Sequence, residues 1–335
     1  MAIPFANEGT EGTEGTEGTE GTEGTEGTEG TGASSVSGVG AYAGRRTSPL
    51  LAQALLTTQA ELTRDIVGFG TPDTIVAKLG PDEALARWSA AVRGHQYLFE
   101  LVSGMAFGSG SGGSDAQLTF AGSGAPGPFT MQPPSYEAAP QPKNLTDALR
   151  EVLNFAALRP DRLSEILTQV ANPYSYFSMV LNLQPGRHRY TFELMSALFT
   201  LTDKVVMQFK HFFRVRRPAD HSRLVQPVLL TPSHGSYPAG HSVQSHLVAS
   251  VLTTLIVPPM APPGNETKVQ LSRLADRISE NRIVAGVHYP EDIAAGVPLA
   301  NALSDYFIYK AGNPNNVPAT SAVNWVWARA YAEWH

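Results

Sequence analysis

From Thr146 to Ala332 apolar residues recur at helical spacing, and no convincing alternating pattern of a strand interrupts them. Helices are expected over Thr146–Leu158, Pro160–Ala171, His188–Arg214, His241–Ile256, Lys268–Gly286, Glu291–Lys310 and Ala322–Ala332. The longest, His188–Arg214, carries Phe192, Leu194, Leu198, Leu201, Val205, Val206 and Phe209 on one face. Pro160 suits a first helical position, and the Pro-punctuated stretch Ala219–Tyr237 reads as a loop. Upstream, Leu50–Gly68 and Pro81–Ala106 read as two more helices, the second with Asp82 and Glu83 in its first turn. Phe107–Asn144 turns to Gly, Ser, Pro and Gln and reads as a long loop. The fold class expected is all-α, a helical bundle, with one domain from 47 to 335.

A tail precedes it. Glu8 to Thr31 is eight copies of Glu-Gly-Thr, with no Pro and no apolar residue, so nothing in it can be buried and residues 1–46 are expected to be disordered. This tract also explains the net charge of −6: its eight glutamates leave 24 basic against 22 acidic residues in the rest of the chain. A nearly neutral folded part gives no reason to expect a nucleic-acid partner. The chain has no cysteine, which excludes disulfides, thiolate catalysis and zinc ribbons. Met1–Asn7 lacks the basic start of a signal peptide. The longest apolar run, Leu247–Met260, is broken by Thr253, Thr254, Pro258 and Pro259, too short for a bilayer span. The expectation is a soluble protein without a membrane partner, made in the cytoplasm, with non-classical export and self-association left open.

Three short motifs carry the chemistry. Lys210 is followed by Arg217-Pro218 at the end of the long helix, where Pro218 stops the helix and holds Arg217 at its rim. Pro238-Ala239-Gly240-His241 opens an apolar helix, so that Gly240 lets backbone amides approach an anion and His241 stands ready to give a proton. Arg282, His288 and Asp292 span the end of one helix, a turn at Tyr289-Pro290 and the start of the next. Asp292 is placed to accept from Nδ1–H of His288, which leaves Nε2 free as a nucleophile or ligand. Three cations, two imidazoles and one carboxylate suit a compact tetrahedral or trigonal-bipyramidal oxyanion. Taken singly, each motif also reads as a solvated basic face, a plain helix start or a surface ion pair.

In combination and order, the motifs resemble the superfamily that unites vanadium-dependent haloperoxidases, class A acid phosphatases and type 2 phosphatidic acid phosphatases. The resemblance covers about Ala171 to Ile308 and implies the helical bundle of that family. It implies that Lys210, Arg217, Arg282 and the Gly240 amide bind the oxygens of phosphate or vanadate. His241 would be the acid–base group, and Asp292 would orient His288. His288 would be the phosphatase nucleophile or, in a haloperoxidase, the covalent ligand of vanadium in orthovanadate. Ala239 and Asn281 stand where the family commonly has Ser. Between the soluble branches, His234, seven residues before His241, favours a bromide-oxidising haloperoxidase with a second imidazole near the axial oxygen. The implied partners are then hydrogen peroxide, bromide or iodide and a small organic acceptor. Met207 stands where haloperoxidases often carry Trp, and Gly235-Ser236-Tyr237-Pro238 matches a string of the acid phosphatases. A phosphomonoesterase is therefore the alternative, and a non-catalytic oxyanion-binding protein a third reading.

Overall fold

The computed structural model describes residues 79–137, 143–258, 260–262, 264–314 and 321–335, with scattered positions between 53 and 64. The Glu-Gly-Thr tail and most of the expected helix Leu50–Gly68 lie outside these residues. The chain divides into two units at Arg93–Gly94, and every motif residue falls in the second. The helices are α1 (Pro81–Arg87), α2 (Ala90–Val102), α3 (Lys143–Phe155), α4 (Arg159–Ala171), α5 (Tyr174–Leu181), α6 (Arg189–Phe213), α7 (Pro218–His221), α8 (Gly240–Ile256), α9 (Glu266–Val284), α10 (Pro290–Ala311) and α11 (Ala322–Ala332). Among the described residues no helix is long and apolar enough to cross a membrane.

Helix α8 is the axis of the bundle. It packs against α6, α9, α10 and α11. Val243, Leu247, Val248, Val251, Leu252 and Leu255 on it are all fully buried. A helix buried on most of its circumference needs apolar residues all round, which is why the longest apolar run of the chain, Leu247–Met260, begins within it. Its approach to α10 is close. A Cβ added at Gly296 would lie 2.6 Å from Ser242 Oγ, and Ser242 Oγ donates to the Ile293 carbonyl at 2.8 Å. Gly296 thus sets the spacing of the two helices whose N-terminal ends carry His241 and Asp292.

The chain is mostly helical, as expected, but the expected loop over 107–144 needs correction. Met105–Ser109, Ala116–Phe120 and Phe129–Met131 form an antiparallel sheet in the order β1-β2-β3, with Phe107 opposite Leu118 and Leu118 opposite Phe129. The strands are short: β2 buries Ala116 and Leu118 between Gln117 and Thr119, and β1 half-buries Met105 and Phe107 between exposed Ala106 and Gly108. Glycine and serine in the hairpin hid them. Asp115 closes that hairpin, its carboxylate accepting from Gly112 N at 3.0 Å while its carbonyl accepts from Gly110 N at 2.8 Å. The sheet lies over the end of α6: Phe107 meets Phe209 edge-on at 4.9 Å, and Phe129 meets it at 6.1 Å. Beyond β3, a 3-10 turn over Ser135–Glu137 is pinned by Glu291, which accepts from Ser135 N and Oγ at 2.7 and 2.8 Å. Pro81–Ala106 is likewise two helices broken at Trp88–Ser89, and Tyr174–Leu181 is a helix not anticipated.

Candidate active site

The motif residues meet where five helix ends come together. Lys210 lies in the last turn of α6, Arg217 caps α7, Gly240 and His241 open α8, Arg282 ends α9, and Asp292 sits in the first turn of α10. The two links into α7 and α10 share one device. Arg217-Pro218 and Tyr289-Pro290 each place Pro at the first helical position, and an Asp two residues later reaches back to the cap amide. Asp220 Oδ2 accepts from Arg217 N, and Asp292 Oδ2 from Tyr289 N, both at 2.9 Å. The sequence X-Pro-x-Asp is the readable signal for both caps.

Asp292 is fully buried and saturated with donors. Its Oδ2 accepts from His288 Nδ1 at 3.0 Å, from Tyr289 N and from Ser236 Oγ, while Oδ1 accepts from Tyr136 OH at 2.5 Å. Burial alone would raise this carboxyl, but its hydrogen bonds to His288, Ser236 and Tyr136 hold it below the ordinary value, so it stays ionised. His288 is pushed down to about 3, first by burial and then by Lys210 and Arg217, against the pull of Asp292. The imidazole is therefore neutral at pH 7, with its proton on Nδ1 and its lone pair on Nε2. Arg217 NH1 lies 3.4 Å from that Nε2 and donates to the Val287 carbonyl at 2.7 Å.

The cations are buried and out of balance. Lys210, Arg217 and Arg282 are 3%, 2% and 1% exposed. Lys210 Nζ donates to the Gly235 and Ser236 carbonyls, both at 2.8 Å. Burial, then Arg217, lowers it to about 7, with Asp292 opposing. Burial brings Arg217 and Arg282 down to about 10, so both remain charged at neutral pH. Arg282 NH2 donates to Gln169 Oε1 at 2.8 Å and to the Ile166 carbonyl at 3.2 Å, but its Nε and NH1 are buried with no partner. An orphaned guanidinium N–H in a native interior calls for an acceptor. Three buried cations facing one carboxylate call for an anion.

His241 belongs to the same cluster. Its imidazole is held well below its usual value by burial, then by Arg282, His288, Lys210 and Arg217 in that order. The first amides of α8 have no helical acceptor, and the helix dipole adds positive potential there. An oxyanion bound among these groups would raise His241 and Lys210 together, making His241 a proton donor only once the site is filled.

His234 lies against Arg217, whose NH2 is 3.2 Å from Nδ1 and whose Nε donates to the His234 carbonyl at 3.0 Å. It braces the guanidinium. Four supporting residues escaped the sequence reading. Ser236 and Tyr136 hold Asp292, and Asn281 Nδ2 donates to Gln169 Oε1 at 3.1 Å and Glu165 Oε2 at 3.0 Å, so Gln169 is fixed to accept from Arg282. Ser236 had a signal in its Gly-Ser-Tyr-Pro string. Tyr136, in a Pro-rich stretch, and Gln169, on an ordinary helix face, had none.

Among the described residues no group of three or more His, Cys, Asp or Glu is placed to hold a metal ion. The donor set fits instead an oxyanion attached through one imidazole and neutralised by cations. Neither a protein-family model nor a curated protein matches this chain.

Proposed function

We propose that the buried cluster holds orthovanadate and that the chain is a vanadium-dependent haloperoxidase, oxidising bromide or iodide with hydrogen peroxide to hypohalous acid. The observation that carries the reading is the lone pair of His288 Nε2, 3.4 Å from Arg217 NH1, in a buried cluster whose Arg282 has unpartnered N–H groups and whose cations outnumber its carboxylates. His288 would hold the anion through Nε2, with Asp292 fixing its tautomer and plane. Lys210, Arg217 and Arg282 would neutralise its oxygens, with the first amide of α8, at Gly240, as a neutral donor. His241 would hold or deliver a proton at one of those oxygens. Bound there, vanadate supplies a Lewis acid that activates peroxide toward halide without changing oxidation state. His234, braced on Arg217, tunes the charge facing the halide.

A second reading has its own observation. Ser236, from the acid-phosphatase-like string, lies 3.3 Å from His288 Nδ1 and bonds Asp292, the arrangement of an oriented His nucleophile. In a phosphomonoesterase His288 would attack phosphorus in line, and His241 would protonate the leaving alcohol. One experiment separates the branches. Protein loaded with orthovanadate is assayed for bromide- and peroxide-dependent halogenation, and vanadate-free protein for hydrolysis of a phosphate monoester. Halogenation that vanadate restores after dialysis against phosphate supports the haloperoxidase. Ester hydrolysis that vanadate only inhibits overturns it in favour of the phosphatase. Binding of the anion with neither activity leaves an oxyanion-binding protein.

A further inference from the structure

Lys210 and Arg217 also line a cavity of about 520 Å³, a volume suited to a small organic molecule. Its lining is basic: Lys210, His211, Arg214, Arg216, Arg217 and His234. Asp220 is the one carboxylate on it. The side chains of His211, Arg214 and Arg216 are exposed and make no hydrogen bond or ion pair with any described residue. The C-terminal dipole of α6 accounts for Lys210 and His211 in its last turn, and for Arg214 just past it. It does not account for Arg216, which follows on the link to α7, beyond the helix end. A concave surface of one sign concentrates anions, and here it shares two of its cations with the buried cluster.

We propose that this cavity is a second anion subsite, and that the organic substrate carries an acidic group, a carboxylate or phosphate, held there by Arg214 and Arg216 while its reacting part faces the buried cluster. The proposal rests on the reading of that cluster as an oxyanion site. It assigns a substrate class, an acidic organic molecule, where the buried cluster alone recognises only the small oxyanion.

Two hydrolysis-inert probes test it, benzenephosphonate and 4-phosphonobenzoate, which differ by one carboxylate. Their binding to the full chain is measured by calorimetry at one pH and ionic strength. The phosphonate group reports on the buried cluster, and the added carboxylate reports on the cavity. The expected result is about tenfold tighter binding of 4-phosphonobenzoate, the size of one charge-assisted pair with arginine. In the double variant Arg214→Asn, Arg216→Ala the difference between the probes should collapse. Asn is chosen because Arg214 has a left-handed backbone, φ 54°, which Asn tolerates. Equal affinities for the two probes in the wild type would overturn the second subsite and leave the buried one standing. A carboxylate gain that survives the double variant would overturn its assignment to these arginines. If neither probe binds, the oxyanion reading of the buried cluster falls, and the subsite with it.

Discussion

Lys210 should make anion binding depend steeply on pH. Its ammonium is 3% exposed, and its two hydrogen bonds go to neutral carbonyls, those of Gly235 and Ser236. Burial and the charge of Arg217 bring it to about 7, so the empty site carries a full charge there only in mildly acid solution. Sulfate is a suitable probe because it is tetrahedral and does not titrate between pH 6 and 9. If the dianion binds only the ammonium form, its affinity is nearly constant below pH 7 and falls about tenfold per unit above it. Between pH 6 and pH 9 the loss is about a hundredfold, or ~2.7 kcal/mol. Binding at pH 8 then takes up about 0.9 proton, which calorimetry in two buffers of different ionisation heat measures directly. Lys210→Met should bind sulfate more weakly at pH 6 and with a flat profile. A wild-type affinity unchanged from pH 6 to 9, or a slope that persists in Lys210→Met, would refute the reasoning.

His288→Ala should abolish halogenation and tight vanadate retention while the circular dichroism of the helices is unchanged; retained vanadate with normal turnover would show the cluster is not the site. Asn281→Ala and Gln169→Leu, which touch no anion, should weaken sulfate binding by about tenfold through loss of the brace on Arg282, read by the same calorimetry. His234→Ala should lower bromide oxidation by about tenfold and iodide oxidation less, with ester hydrolysis little changed; equal losses for both halides would make it an ordinary brace of Arg217. Acid should destabilise the fold through His288, because the unfolded imidazole takes a proton near 6.5 and the folded one only near 3. The unfolded state binds more protons in that window, so stability is lost as pH falls through it, and the melting temperature of His288→Asn should fall less steeply between pH 6.5 and 4.

The long helices that carry the site were legible because each is amphipathic or apolar over several turns, and α8, α9 and α10 are followed within two residues by a Pro or Gly; the four-residue α7 was too short to read. The long helix was read as His188–Arg214 and runs from Arg189 to Phe213, with His188 and Arg214 as its caps. Periodicity needs length, and that is why it failed for the sheet. Five residues such as Met105–Ser109 give two alternations at most, and the burial that selects them comes from Phe209 on a helix a hundred residues away. The same limit governs the site. Charged residues at helix ends are visible in a sequence because caps and dipoles favour particular types there. A neutral brace such as Gln169 or Tyr136 is defined only by what tertiary packing brings to it.

Asn281 shows how the two kinds of information combine. In the sequence it reads only as a position where the resembled family commonly has Ser. In the fold its amide donates to Glu165 and Gln169, and Glu165 is in turn held by Arg277 at 2.8 Å. Those bonds to Arg277 and Asn281 outweigh the opposing effect of burial and bring the Glu165 carboxyl down to about 2, so it stays ionised at neutral pH. The residue therefore anchors a chain that runs from a partly exposed ion pair through Gln169 to the buried guanidinium of Arg282. Such a chain fixes the direction of Arg282 before any anion arrives, which lowers the ordering cost of binding. The departure from the family pattern at Asn281 is thus offset by orientation of the neighbouring cation. At Ala239 the amide donates to the Asp292 carbonyl at 3.0 Å, and the side chain is fully buried. There the lost hydroxyl has no such replacement, so on the proposed reading the cations, the two imidazoles and the Gly240 amide hold the anion without it.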